Sequence, residues 1–160
     1  MPPADPSPTA AELTPTQRDF VTDCCQTFFE LADAAGVSER DLTEGDAAEA
    51  CDAVVRWWHD QPGDDRPDFE TTCNILGVAL GELLRAAFPI LQWKMVSDGF
   101  GTSLALWNPS PQVILAPIDS VMKRLDEEPD GFFAPLLDAL VHVVESSLDG
   151  KPPSAPDADD

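Results

Sequence analysis

The strictest pattern in this chain runs from residue 69 to residue 88. Phe69, Cys73, Leu76, Leu80, Leu83 and Ala87 step by four, three, four, three and four, which keeps them on one face of an α-helix. Gly77 and Gly81 sit four apart on a neighbouring face. Each glycine costs about 1 kcal/mol relative to alanine in a helix interior. Two such losses predict a close approach by another backbone there, from a sheet or a neighbouring helix. Pro89 ends the helix, because it disfavours the α conformation at Phe88.

The residues after Pro89 change period from helical to alternating. Leu91, Trp93 and Met95 fall on one face of a strand, with Gln92, Lys94 and Val96 on the other. Asp98-Gly99 supplies the positive φ angles of a tight hairpin, so residues 102–107 return as a second strand. Pro109 and Pro111 mark another turn, and residues 112–116 form a third, well-buried strand. Beyond Pro117, Asp119 or Ser120 can cap a helix that carries Val121, Met122 and Leu125. A last helix begins near Phe132 or Pro135 and ends at Leu148, with Phe133, Leu136, Leu137, Leu140, Val144 and Leu148 facing inward.

Upstream, Thr14, Pro15 and Gln17 make a capping box with proline at the first helical position. Phe20, Cys24, Phe28 and Leu31 then recur at helical spacing, and Gly36 ends that helix. A second helix spans residues 46–59, with Cys51, Val54, Val55 and Trp58 inward; of the adjacent rings Trp57 and Trp58, one belongs at the edge of the core. Residues 61–68 form a loop with Pro62, Gly63 and Pro67. The expected fold class is therefore α+β, with three N-terminal helices, a three-stranded antiparallel meander and two C-terminal helices. These form one domain over residues 14–149. Residues 1–13 and the acidic stretch 150–160 are expected to be disordered tails, because proline and aspartate dominate them and little apolar surface is available to bury. Removal of residues 1–12 and 151–160 is expected to leave the thermal midpoint nearly unchanged.

The centre of the chain resembles an uncharacterised bacterial family, the domain of unknown function numbered 3806. The resemblance rests on Leu76-Gly77-Val78-Ala79-Leu80-Gly81, on the hairpin from Trp93 through Asp98-Gly99-Phe100-Gly101 to Thr102, on Leu104-Ala105-Leu106, and on Ala116-Pro117-Ile118-Asp119-Ser120-Val121-Met122-Lys123-Arg124. It covers roughly residues 71–144. Family members often have serine where this chain has Asp119, and both residues cap helices. The resemblance implies a small α+β domain and carries no activity with it.

The charge is the strongest functional signal. Thirty acids against nine bases give a net −21. Over residues 71–125 the acids are only Glu82, Asp98 and Asp119, against Arg85, Lys94, Lys123 and Arg124, net +1; the acid lies on the flanks. Such a field repels nucleic acid and anionic membrane and favours a basic protein partner, against the simpler reading that the charge serves only solubility. No apolar run is long enough to span a membrane, and a cytoplasmic location is expected. Cys24, Cys25, Cys51 and Cys73 form no Cys-x-x-Cys pair and read as buried thiols.

No residue set carries a recognised chemistry, so no catalytic residue, cofactor or metal is assigned. Residues 99–103 lack the long loop and lysine of a phosphate cradle and read as a hairpin turn. His59, with Asp60, Asp64 and Asp65 nearby, is a poor metal site in a loop, and His142 reads as an edge-of-core residue. Two surfaces remain. Asp98, Trp107, Lys123 and Arg124 form a possible recognition patch, against the simpler reading that Lys123 and Arg124 complement a helix dipole and pair with Asp126, Glu127 or Glu128. Asp46, Glu49 and Asp52 form a possible acidic interface, provided they lie on the wet side of their helix. The leading expectation is a non-enzymatic interaction domain of inhibitor or immunity type. The alternatives are a small-molecule-binding or enzymatic domain with a groove between sheet and helices, and a DNA mimic with acids spaced like phosphates.

Overall fold

A computed structural model of the chain describes residues 7–150. Its centre is helix α4, Phe69–Ala87, which Asp68 starts by accepting a hydrogen bond from the Thr71 amide. Cys73, Leu76, Val78, Leu80 and Leu84 on this helix are fully buried. The buried face drifts along the helix, so that Leu84 is enclosed where Leu83 was expected, and Ala87 is exposed.

The glycines of α4 explain why it can be so enclosed. A Cβ on Gly77 would lie 2.4 Å from the Ile118 Cα, in helix α5 (Pro117–Met122). A Cβ on Gly81 would lie 2.2 Å from the ring of Trp93, on strand β2 (Gln92–Asp98). Gly77 thus meets the expected backbone, that of a helix, whereas the space at Gly81 is taken by a side chain of the sheet and not by backbone. The Trp93 ring is held there by its indole N–H, which donates to Glu82 at 2.8 Å; Glu82 in turn pairs with Arg85 at 3.0 Å.

The sheet is antiparallel and has four strands in the order β1-β2-β3-β4. Strand β3 is Gly101–Pro109 and β4 is Gln112–Leu115. Asp98 opposes Gly101, which makes the expected hairpin, but the positive φ falls at Gly101 (+138°) and not at Asp98-Gly99 as expected; Trp93, Leu106 and Leu115 line up across three strands into the core. The second face is not simply wet. Val96 and Ala105 are buried on it, outside the main core cluster.

The fourth strand corrects the three-stranded meander. Strand β1, Thr9–Ala11, pairs with Ser97–Met95 of β2, in a stretch expected to be disordered. All three of its side chains are exposed, so hydrophobic periodicity carries no trace of it. Backbone hydrogen bonds hold it, and Glu12 beyond it forms an ion pair with Lys94. Residues 9–12 thus cover an edge of the sheet. The rest of the expected tails, residues 1–6 and 151–160, lies outside the described residues.

Six helices replace the expected five. Helix α1 is Pro15–Ala34, with the expected capping box at Thr14 and Gln17. Phe20 at its start is more than a third exposed, not core. Helix α2 is the short Glu39–Thr43, started by a second capping box between Ser38 and Asp41. Helix α3 is Ala47–Asp60, with Trp58 buried and Trp57 at the edge of the core. Helix α6 is Phe133–Leu148 and packs against α3, α4 and β4. Among the described residues no helix is long and apolar enough to cross a membrane.

Two substitutions in α4 check this packing by urea unfolding. Leu80→Ala removes a fully buried side chain and should cost about 2–5 kcal/mol. Gly77→Ala gains about 1 kcal/mol of helix propensity. It should still destabilise, because the new methyl meets backbone and overpacking costs about 1–3 kcal/mol. A stabilised Gly77→Ala protein would mean that α5 does not press on α4.

Candidate functional site

Helix α3 carries a polar stripe. Asp46 caps its start by accepting from the Glu49 amide at 3.1 Å. Asp52, Arg56 and His59 follow at spacings of four and three, on one side of the helix. All three reach the backbone of the connection between α5 and α6. His59 Nε2 donates to the Leu125 carbonyl, and Arg56 donates to the Asp130 carbonyl at 3.1 Å and to Glu49 at 2.8 Å.

Asp52 makes the strongest of these connections. It is only 5% exposed. Its carboxylate accepts from the amides of Phe132 at 2.7 Å, Phe133 at 2.6 Å and Ala134 at 3.3 Å. These are the first amides of α6, and Phe132 at the cap position has no side-chain oxygen to offer them. A carboxylate from another helix therefore does the capping and also opposes the positive end of the α6 dipole. Gly131, with φ at +109°, lets the chain approach; a Cβ there would lie 2.7 Å from the Asp52 carboxyl carbon. Asp52 is thus no part of an acidic interface, since it does not lie on the wet side of α3. Asp46 and Glu49 are exposed.

The other end of α3 is equally fixed. Trp58 donates from its indole nitrogen to Pro67 at 2.9 Å. Arg66 stacks 4.6 Å above the Trp58 ring and donates to the carbonyls of Trp58 and His59. The loop at 61–68 is held by these bonds. Among the described residues no group of His, Cys, Asp and Glu is placed to hold a metal. His142 is exposed, on the outer side of α6 and not at the core edge.

The patch of Asp98, Trp107, Lys123 and Arg124 is not assembled. Asp98 sits at the β2–β3 turn and accepts from the Phe100 amide at 2.8 Å. Trp107 opposes Gln92, six residues further along the ladder, which is about 20 Å away at strand rise. Lys123 and Arg124 follow α5. Lys123 pairs with Asp119 at 3.0 Å, not with the acids downstream, and Arg124 donates to the Ser120 carbonyl at 2.9 Å. Local bonding accounts for all three charged members.

The structure shows instead a pocket of about 280 Å³ among the four N-terminal helices, not between sheet and helices. Cys25, Phe28 and Phe29 of α1, Leu42 of α2, Cys51 of α3 and Leu83 of α4 line it, and Glu82 is its one charged lining group. Burial pushes the Cys51 thiol up to about 12 and raises Cys25 as well. Both stay protonated near neutral pH and act here as small apolar groups. The adjacent phenylalanines and Cys25, which widen the apolar stripe of α1, are the trace of this pocket in the sequence.

Fold and surface together define a small α+β domain with an acidic helical side. The profile of the family described as Domain of unknown function (DUF3806) matches residues 55–131, and this segment is similar to that family. The match runs from the middle of α3 through α4, β2–β4 and α5 to Gly131, so it starts before and ends before the resemblance at 71–144. It leaves out α1, α2, Asp52 and α6. No curated protein and no solved structure matches the chain.

Asp52→Ala should lower stability by about 2–4 kcal/mol, because three amides at a helix start lose a charged acceptor. Asp52→Asn keeps one acceptor oxygen and should cost less. Equal stability of all three proteins in urea unfolding would rule out the cap.

A pH dependence follows from the thiols. Burial raises Cys24 to about 11 and Cys51 and Cys73 to about 12. As pH rises through about 9, the unfolded chain loses these protons first and then binds fewer than the native protein, so stability falls. The loss should continue to about pH 12, and Cys51→Ala should make it shallower. A urea midpoint that stays level between pH 8 and pH 10.5 would contradict this.

Proposed function

We propose that this chain is a cytoplasmic, non-catalytic interaction domain, of inhibitor or immunity type, that meets a basic protein through its acidic helical side. One observation carries the reading. Residues 30–49, from the end of α1 into α3, hold seven acids and a single base, net −6. That base, Arg40, is already paired with Glu44 at 2.8 Å. Asp33, Asp46 and Glu49 are exposed, so the excess faces outward, while residues 71–125 are nearly neutral. A surface of this kind steers a basic partner by raising its association rate.

The pocket supports a non-catalytic role. Its thiols are protonated, and its one carboxylate already accepts from Trp93 and Arg85. Two surface acids are tied into helix starts, Asp41 accepting from the Ser38 amide and Asp46 from the Glu49 amide, which favours a protein partner over an acidic rail that imitates DNA phosphates.

Co-purification at low ionic strength supplies the partner, and stopped-flow association at two salt concentrations tests the surface. Asp46→Asn with Glu49→Gln removes two charges and keeps a residue that caps. Association should slow severalfold in this protein and in the wild type at high salt, as exposed charges are screened beyond about 8 Å at physiological ionic strength. Neutralising Lys123 and Arg124 should change little. Salt-independent association, or loss only in the Lys123 and Arg124 variant, would overturn the reading.

A further inference from the structure

The pocket shares two of its walls with a second concavity. Phe29 and Leu42 line both the 280 Å³ pocket and a second concavity of about 260 Å³, which also has Asp33, Val37 and Glu39 on its wall. The two make a groove with apolar floor in the first and acidic wall in the second. Phe29 is 50% exposed, a large apolar surface left open beside this floor.

We infer that this groove docks a basic amphipathic helix of the partner, with one apolar side chain seated between Phe29, Leu42 and Leu83 and its lysines or arginines over Asp33 and Glu39. The inference rests on the interaction-domain reading and names the site and the chemistry of its occupant. An apolar centre beside a charged rim is the anatomy of a protein interface, and helix-in-groove recognition uses anchors at helical spacing. The volume sits at or below the lower end of small-molecule pockets, about 300–1,000 Å³, and suits an anchor side chain better than a whole cofactor. The one charged lining group is already satisfied by Trp93 and Arg85, which leaves few polar contacts to orient a polar ligand. A second copy of the chain is a poor occupant, since two molecules of net −21 would bring like-charged rims together. A basic, apolar-faced helix complements both halves of the groove.

The test uses the full chain and two synthetic peptides of equal charge. One is a lysine helix with leucines at i, i+3, i+4 and i+7; the other is lysine alone. Calorimetric titration should show the leucine peptide binding at least tenfold tighter. Phe29→Ser, which opens the wall, and Ala79→Leu, which adds bulk at another lining residue of the pocket, should each erase that preference and leave the lysine peptide unchanged. The leucine peptide should also slow alkylation of Cys25 at least fivefold in the wild-type protein, a readout that needs no variant. Equal affinity for the two peptides, a preference that survives both substitutions, or unprotected Cys25 would overturn the groove while the acidic-surface reading stood. Loss of salt dependence for both peptides would remove that reading as well. Binding of the neutral apolar dye N-phenyl-1-naphthylamine in the pocket, with no competition from the leucine peptide, would make the occupant a small molecule and overturn the inference.

Discussion

The Asp52 carboxylate at the start of α6 is the contact on which the arrangement of helices depends. Helix α6 begins at two phenylalanines that are buried and cannot cap. Without an acceptor its first amides would be orphaned in an enclosed site, at a cost of about 1–3 kcal/mol for each unsatisfied group. Asp52 supplies that acceptor from eighty residues away, and Arg56 and His59 secure the same connection two turns along. Asp52, Arg56 and His59 thus hold the chain together from one side of α3, while its apolar side, with Val54 and Val55, enters the core.

What the sequence disclosed depended on whether a feature leaves a local pattern. Helix α4 leaves one twice, in its stripe and in Gly77 and Gly81, and the glycines pointed to close contacts that exist at Ile118 and Trp93. The Asp98-Gly99 hairpin and the Thr14 capping box are equally local. Strand β1 leaves none, since its side chains are exposed and its partner is distant in the chain. The role of Asp52 was invisible for a different reason. A buried cap and a surface charge are the same letter, and only the tertiary placement of Phe132 and Phe133 separates them. The recognition patch failed likewise, because Asp98 and Trp107 lie on adjoining strands but near opposite ends of one ladder.

The family match and the acidic groove occupy largely different parts of the molecule. The matched segment supplies α4, most of the sheet and α5, and contributes Ala79, Glu82 and Leu83 to the pocket. The rest of the lining comes from α1, α2 and the start of α3, which also carry the acidic excess. The nearly neutral part of the chain is therefore the frame, and the charged part is added against one flank of its central helix.

The placement of the tryptophans gives the molecule an internal set of optical reporters. It has four tryptophans and no tyrosine, so its fluorescence excited beyond the phenylalanine absorption band comes from indole alone. Trp93 sits where β2 presses on Gly81, with its N–H on a carboxylate, and Trp58 lies beneath a guanidinium at the end of α3. Trp57 and Trp107 are half-buried at the margins. Single-tryptophan forms of the chain would let the docking of the sheet on α4 and the closing of the 61–68 loop be followed as separate fluorescence signals.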